Sequence, residues 1–348
     1  MSHYEERLSA DTDRLMAKIS DLAGRVDAGL RSAVRALEQE DRDLAYDTIL
    51  RDGPINRLTE AVEAESHRFM AKHLPSGAHL RFVSSAMRIA ILLERMGDYA
   101  VTICRHAATL NVPLKGTFKR EVSAMAADAL QMFSQSLEAF LARDASMAKA
   151  TMGYAEQVDR DYVNALAILR EETSEAIPVE DLFARLVIIR QLERVSDQAK
   201  NLCEETVFAL TGETKHRKPV PVLVVDKNDD GATHLVAAVA ERLHQGKVSV
   251  VTAGSNPSAT VRQEVSDFLL EHGLAAAGRK PKGLNDLEEP VGAYKVIIAL
   301  EGRPEDYVGR IPYTSVGLSW EAESGADLEA TYRQLAGELG DLVALLRG

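Results

Sequence analysis

Two segments of this chain carry acids in the same arrangement. Leu93-Glu94-Arg95-Met96-Gly97-Asp98 and Leu192-Glu193-Arg194-Val195-Ser196-Asp197 share Glu-x-x-x-Asp at a constant offset of 99 residues. Residues four apart on an α-helix lie about 40° apart around the axis and about 6 Å along it. Glu94 and Asp98 therefore share a helix face, as do Glu193 and Asp197. Thr102 and Asn201 extend each stripe by a turn. Like charges at this spacing repel mildly, and solvent, a cationic side chain or a metal must offset that. Acidic pairs from two or more helices make an oxygen-rich site for a hard or borderline cation. The competing readings are a solvated acidic face and a Glu–Arg network between helices. Arg95 and Arg194 stand about 100° round from the acids and need not neutralise them. The apolar lead-ins Ile89-Ala-Ile-Leu-Leu and Val187-Ile-Ile, and the repetition itself, raise the weight of the metal reading.

Other candidate groups carry less. Cys104 and Cys203 also repeat, six residues beyond each Asp and about 240° round from it, which suits a small core residue better than a thiolate ligand. The nine histidines show no zinc-type spacing, so His79 and His106 read as helix-surface residues. No Gly-x-Gly-x-x-Gly follows a strand, and neither a phosphate-binding Gly-x-x-x-x-Gly-Lys-Ser/Thr nor Gly-x-Ser-x-Gly occurs.

The elements that position the acids follow from periodicity. Up to Thr211 apolar residues recur with a 3.6 period, as in Leu137, Phe140, Leu141 and Leu166, Leu169. The repeat of about 100 residues predicts a helical hairpin plus a motif helix, three antiparallel helices each time. Thr211-Gly-Glu-Thr-Lys-His-Arg-Lys-Pro-Val-Pro reads as a linker over 213–221, or as a plain helix-to-strand loop. Beyond it, apolar runs near 221–225, 246–252, 294–300 and 314–318 alternate with helical patterns near 231–245, 258–272 and 326–347. That alternation predicts a parallel sheet with helices on both faces.

Composition sets the bounds. The chain has 348 residues, 46% hydrophobic and 27% charged, which supports a real core in two or three domains. A net charge of −12 opposes broad nucleic-acid binding. No apolar run reaches about 18 residues, so no membrane insertion is expected. The N-terminus lacks a signal-peptide pattern, and two cysteines suit a reducing compartment, so a cytoplasmic location is expected.

At the repeated motif the chain resembles the PhoU family. Leu93-Glu-Arg-Met-Gly-Asp-Tyr-Ala and Leu192-Glu-Arg-Val-Ser-Asp-Gln-Ala-Lys-Asn are similar to its paired signature, over roughly residues 5–212. Pro75-Ser-Gly-Ala-His-Leu-Arg-Phe-Val is similar to its lead-in, with His79 where an Asp is usual. The resemblance implies two tandem three-helix bundles (about 5–110 and 115–212) and a role in bacterial phosphate uptake and signalling. It implies metal ions, iron or zinc with manganese as a further option, on Glu94, Asp98, Glu193, Asp197 and Asn201. Thr102 departs from the family's Asn and weakens the first site. An acid from another helix is implied too, with Asp52, and Asp159 or Asp161, as candidates. The implied partners are the ATPase subunit of a phosphate ABC transporter and a phosphate-responsive histidine kinase, with a homodimer as the expected assembly.

The region 222–348 resembles low-molecular-weight tyrosine phosphatases and the arsenate reductases that share their fold. Val222-Leu-Val-Val-Asp-Lys-Asn-Asp-Asp-Gly-Ala-Thr-His-Leu, Thr252-Ala-Gly-Ser-Asn-Pro, Glu271-His-Gly-Leu, Arg279-Lys-Pro-Lys-Gly-Leu and Lys295-Val-Ile-Ile-Ala-Leu carry the likeness. It implies a small flavodoxin-like domain, making the chain α plus α/β in class. Asp226 stands at the nucleophile position and Ala232 at the Arg position, while Asp229 and Asp230 fill the loop. Trp320-Glu321 lies near the place of the general acid. Cysteine chemistry is excluded there, and three carboxylates repel phosphate. The expected function is a non-enzymatic, metal-binding regulator with an inactive phosphatase-like docking or sensing domain. The alternatives are a metal-dependent phosphohydrolase, using the bundle acids or the Asp226 loop with Lys227, and a metal-free structural adaptor.

Overall fold

The computed structural model describes residues 3–172, 177–213, 219–274, 280–322 and 327–347. The chain divides into two units, Met1–Lys215 and His216–Gly348. Of the linker expected over 213–221, residues 214–218 lie outside the described residues, and Val220 and Pro221 already belong to a strand.

The first unit is helical. Its first bundle contains α1 (His3–Gln39), α2 (Arg42–Leu50), α3 (Asp52–His73) and α4 (Gly77–Thr109). Its second contains α5 (Gly116–Leu141), α6 (Ala145–Thr151), α7 (Ala155–Glu172) and α8 (Val179–Thr211). In each bundle the long first helix, the middle helix and the motif helix pack on one another. The expected middle helix is broken in both bundles. In the first, Pro54 lacks an N–H and its ring opposes the Leu50 carbonyl, so α2 cannot run into α3. In the second, a 3-10 turn at Met152–Tyr154 makes the break. Both middle segments start alike. A left-handed residue (Glu40, φ 60; Arg143, φ 54) precedes an Asp cap. Asp41 accepts from the Leu44 amide, and Asp144 from the Ser146 and Met147 amides. Motif helices α4 and α8 pack antiparallel, and one apolar core, including Leu93, Met96, Phe133 and Leu192, runs through both bundles.

A charged seam closes α1 against α3. Asp11 is 5% exposed, with Lys72 Nζ at 2.6 Å and His73 Nε2 at 2.7 Å. Hydrogen bonds from Lys72 and then His73 hold its carboxyl down at about 2, against an ordinary 3.8. A carboxylate with a lowered folded-state pKa stabilises above its unfolded value, and that contribution disappears as pH falls from about 4 through 2. We expect about 2 kcal/mol to be lost over that window. Denaturant titrations of wild type and Asp11→Asn across the window test this. The variant should lose less stability on acidification; an equal acid response contradicts the assignment.

The second unit is α/β. Its elements are β1 (Val220–Asp226), α9 (Ala232–Leu243), β2 (Val248–Gly254), α10 (Gln263–Glu271), β3 (Val296–Ala299), α11 (Glu305–Val308), β4 (Val316–Ser319) and α12 (Leu328–Arg347). The strands are all parallel in the order β2-β1-β3-β4. Val222 and Val224 of β1 face a core with Leu235, Phe268 and Leu339 from α9, α10 and α12. Leu223 and Val225 face Leu284, Leu287 and Tyr307. The expectation of helices on both faces is thus corrected. The three longer helices share one face, and an irregular crossover with α11 covers the other. Helix α10 starts at Gln263 rather than near 258, because the preceding loop bonds to another loop. The Asn256, Ser258 and Arg262 amides donate to the carbonyls of Lys227, Asn228 and Asp230. Gly254 permits this close approach, since a Cβ there would lie 2.9 Å from the Asn228 carbonyl carbon and the Asp229 nitrogen.

Candidate functional site

The first acidic site is built by close packing of α3 on α4. Gly97 makes the contact, since a Cβ there would lie 3.2 Å from Ile55 Cδ1 and 4.0 Å from Asp52 Oδ1. Asp52, in the first turn of α3, is thereby brought beside Glu94 and Asp98. Partial burial, then the charges of Asp98 and Asp52, push the Glu94 carboxyl above its ordinary value against the pull of Arg95. Burial and Asp52 do the same to Asp98. Asp52 Oδ2 accepts from Asn56 Nδ2 at 3.2 Å, while Oδ1 is buried without a partner. A cavity of about 370 Å³ adjoins this group, lined by Asp52, Arg25, Gly29, Thr48 and Ala100.

The second site follows the same plan with one difference. Burial, then Asp197, push Glu193 up, and Asp159 adds to the effect. Arg190 Nη1 lies 2.9 Å from Glu193 Oε1, so one oxygen is paired, while Oε2 is buried without a partner. Arg194 lies over the Tyr99 ring at 5.8 Å. The fold thus brings Asp52 to the first pair and Asp159 to the second. Asp161 goes elsewhere. It is buried on the α5–α7 seam, takes Gln157 Nε2 at 2.7 Å, and adds to the burial that raises the carboxyl of Asp128.

The outer stripe positions each make one local contact, and the Asn201 amide oxygen is not engaged by the contact its nitrogen makes. Thr102 donates to the Asp98 carbonyl at 2.9 Å, and Asn201 Nδ2 lies 3.5 Å from Gln198 Oε1. Among the described residues, no three His, Cys, Asp or Glu side chains converge as a finished metal site. The donor chemistry still fits a cation: oxygen ligands only, mutually repelling, with orphaned buried oxygens at Asp52 and Glu193. Cys104 and Cys203 are buried, and burial pushes their thiols to about 11 and about 12, which keeps them protonated core residues. His79 is exposed.

In the second unit, Asp226 ends β1. Its Oδ1 accepts from the Asn228 amide at 3.0 Å and from the Asp229 amide. Burial pushes its carboxyl to about 6. Backbone N–H groups that an anion cradle would offer are therefore spent on the chain's own carboxylate. Asp229, at φ 48, is fully buried and turns inward to Thr233 Oγ1 (2.8 Å), Thr252 Oγ1 (3.2 Å) and the Lys282 amide (2.8 Å). Asp230 takes Ser258 Oγ at 2.6 Å and Arg262 Nε at 3.5 Å. The expectation of three carboxylates facing an anion is corrected: Asp229 faces inward as a structural acceptor, and Asp230 is held by Ser258 and Arg262. Ala232 begins α9, and a guanidinium reaches this loop from Arg262 instead, so close to Gly231 that a Cβ there would collide with it.

A doubled helical bundle with a carboxylate pair at the matching place in each repeat defines a class of two-repeat, helix-only modules, here followed by an α/β unit. A profile of the PhoU domain matches residues 19–107 and 122–206, together half of the chain, and this chain belongs to the PhoU family. A Pseudomonas aeruginosa relative, a phosphate-specific transport system accessory protein PhoU homolog, is 29% identical over 217 residues, covering 60% of this chain and 88% of the relative. The Escherichia coli phosphate-specific transport system accessory protein PhoU is 27% identical over 214 residues, covering 61% and 88%. The crystal structure of the phosphate transport system regulatory protein PhoU from Streptococcus pneumoniae superposes with a TM-score of 0.56 at 28% identity, covering 60% of this chain and 99% of that one. The expectation of a non-enzymatic protein agrees with relatives named as accessory and regulatory proteins. Among the described residues, no helix is long and apolar enough to cross a membrane.

Proposed function

We propose that this chain is an accessory regulator of a phosphate-specific transport system, with metal-bearing carboxylate faces on its two bundles. One observation carries the reading: the PhoU domain matches twice, and each match contains one cluster of mutually repelling, partly buried carboxylates. Asp52, Glu94 and Asp98 would hold metal in the first bundle, and Asp159, Glu193 and Asp197 in the second. The metal, iron or zinc with manganese as a further option, would supply positive charge that relieves the repulsion and fixes each motif helix against its neighbour. The proposed partners are the ATPase subunit of a phosphate ABC transporter and a phosphate-responsive histidine kinase, and the proposed assembly is a homodimer.

The second unit is proposed as an inactive relative of the low-molecular-weight phosphatases, kept as a sensing module. The parallel order β2-β1-β3-β4 and the loop at the end of β1 support that reading. Without a thiolate at 226, and with the Asn228 and Asp229 amides already taken, the loop lacks both the nucleophile and part of the anion cradle. The test is association of the full chain with the purified transporter ATPase subunit, measured with and without added metal. Saturable binding weakened by loss of Glu94, Asp98, Glu193 and Asp197 is expected. Binding to neither the ATPase subunit nor the kinase overturns the reading.

A further inference from the structure

The second unit contains a crevice of about 590 Å³ where the carboxyl ends of β1 and β3 part. Strand β1 leads on to β2 on one side and β3 to β4 on the other, so this is the topological switch point of the sheet, where open α/β sheets bind ligands. Its volume lies within the usual range for small-molecule sites. One wall is aliphatic, with Leu235, Leu300 and Leu328. Asp226 and Glu301 line the crevice as well.

Asp226 is the informative residue. It is 9% exposed yet lines the crevice. Its Oδ1 is committed to the two loop amides, and no hydrogen bond from the described residues reaches Oδ2. Glu301 adds a second negative charge close enough to raise the Asp226 carboxyl further. The lining already carries two cations, Lys227 and Arg262, and Arg262 is pinned by Glu264 at 2.9 Å and Asp230 at 3.5 Å. An anion finds Asp226 on the donors it would need. A bare metal ion would leave the aliphatic wall of Leu235, Leu300 and Leu328 without a partner.

We propose that this crevice binds a small organic cation, an amine or guanidinium on an aliphatic body, with the charge against Asp226 and Glu301 and the body against Leu235, Leu300 and Leu328. The proposal rests on the reading that the Asp226 loop carries no phosphatase chemistry.

The test uses the full chain and calorimetric titration with agmatine, beside glutarate as a dianion of similar size, inorganic phosphate and magnesium chloride. Asp226→Asn is the informative variant, because an amide oxygen keeps both turn hydrogen bonds while the charge goes; Glu301→Gln is the second. Agmatine should bind wild type saturably. Each variant should weaken it about tenfold or more at an unchanged melting temperature, the loss of one charge-assisted contact. No agmatine binding, binding by both variants as tight as by wild type, tighter binding of glutarate, or magnesium binding that Asp226→Asn removes would each overturn the proposal. Phosphate binding by wild type would sink the inactive-phosphatase reading as well, whereas failure of agmatine alone leaves that reading standing.

Discussion

Asp229→Ala is expected to destabilise the second unit by about 3–5 kcal/mol, because a buried acceptor of several bonds is lost at once. Asp229 is fully buried and joins three separate pieces of chain: α9 through Thr233, β2 through Thr252, and the crossover through the Lys282 amide. Removing it takes the acceptor from a buried hydroxyl, a half-buried hydroxyl and a part-buried amide, and leaves a small void. A domain of this size has only about 5–15 kcal/mol to lose, so its melting transition should fall by roughly 10 °C or more. Asp229→Asn should recover only part of this. Its amide oxygen can still accept from Lys282 and Thr252, and its nitrogen can donate only if the Thr233 hydroxyl turns to accept, so the charge-assisted part of the loss remains. The first unit's transition should stay in place. Differential scanning calorimetry of the full chain separates the two transitions, and a loss below about 1 kcal/mol would contradict the structural role.

The second large effect is expected at Asp181. It lies in the first turn of α8 and is fully buried. Its Oδ1 accepts from the Asn111 amide at 3.1 Å and side chain at 3.2 Å, and Oδ2 from the Val112 amide at 2.7 Å. Arg185 completes the latch, with Nη2 3.3 Å from the Val112 and Pro113 carbonyls. The segment joining α4 to α5 is thereby tied to the start of α8, and each bundle is fastened to the other. Asp181→Ala removes a buried acceptor from two part-buried backbone amides and should cost about 2–3 kcal/mol. Hydrogen exchange should show the Asn111 and Val112 amides losing protection first. Unchanged protection of those two amides would remove Asp181 from the latch.

Much of this architecture was legible because period and repetition are one-dimensional signals. The offset from Glu94 to Glu193 located both motif helices, and the valine runs located the strands. The acidic pairs were legible too, since residues four apart share a helix face whatever the tertiary fold. What escaped depended on contacts between segments distant in sequence. The break after Leu50 was missed although Pro54 marks it, and the break after Thr151 has no comparable signal; the Asp41 and Asp144 caps mark only where the middle segments begin. Asp159 and Asp161 sit two apart and therefore face different neighbours, but only packing shows that Asp159 meets Glu193 and Asp161 meets Asp128. Asp128 gave one signal, a lone acid within an alanine-rich apolar helix face. Asp229 and Asp230 read as loop charge, because nothing local reveals the hydroxyls and amide that Asp229 binds or the serine and arginine that hold Asp230. Arg262 and Glu301 reach the crevice from other loops and carry no motif at all.

The repeated acids are expected to hold metal. The decisive measurement is metal content by plasma mass spectrometry of the full chain, purified without chelator or affinity metal. Beside it goes a folded variant lacking all four stripe carboxylates at 94, 98, 193 and 197. The prediction is stoichiometric iron, zinc or manganese in the wild type, lost in the variant, because Asp52, Glu94, Asp98 and Glu193 are left with repulsion and orphaned oxygens that a cation would satisfy. A wild type that stays empty after incubation with those ions would contradict the account. The stripes would then be acidic surface, partly paired as Glu193 is with Arg190.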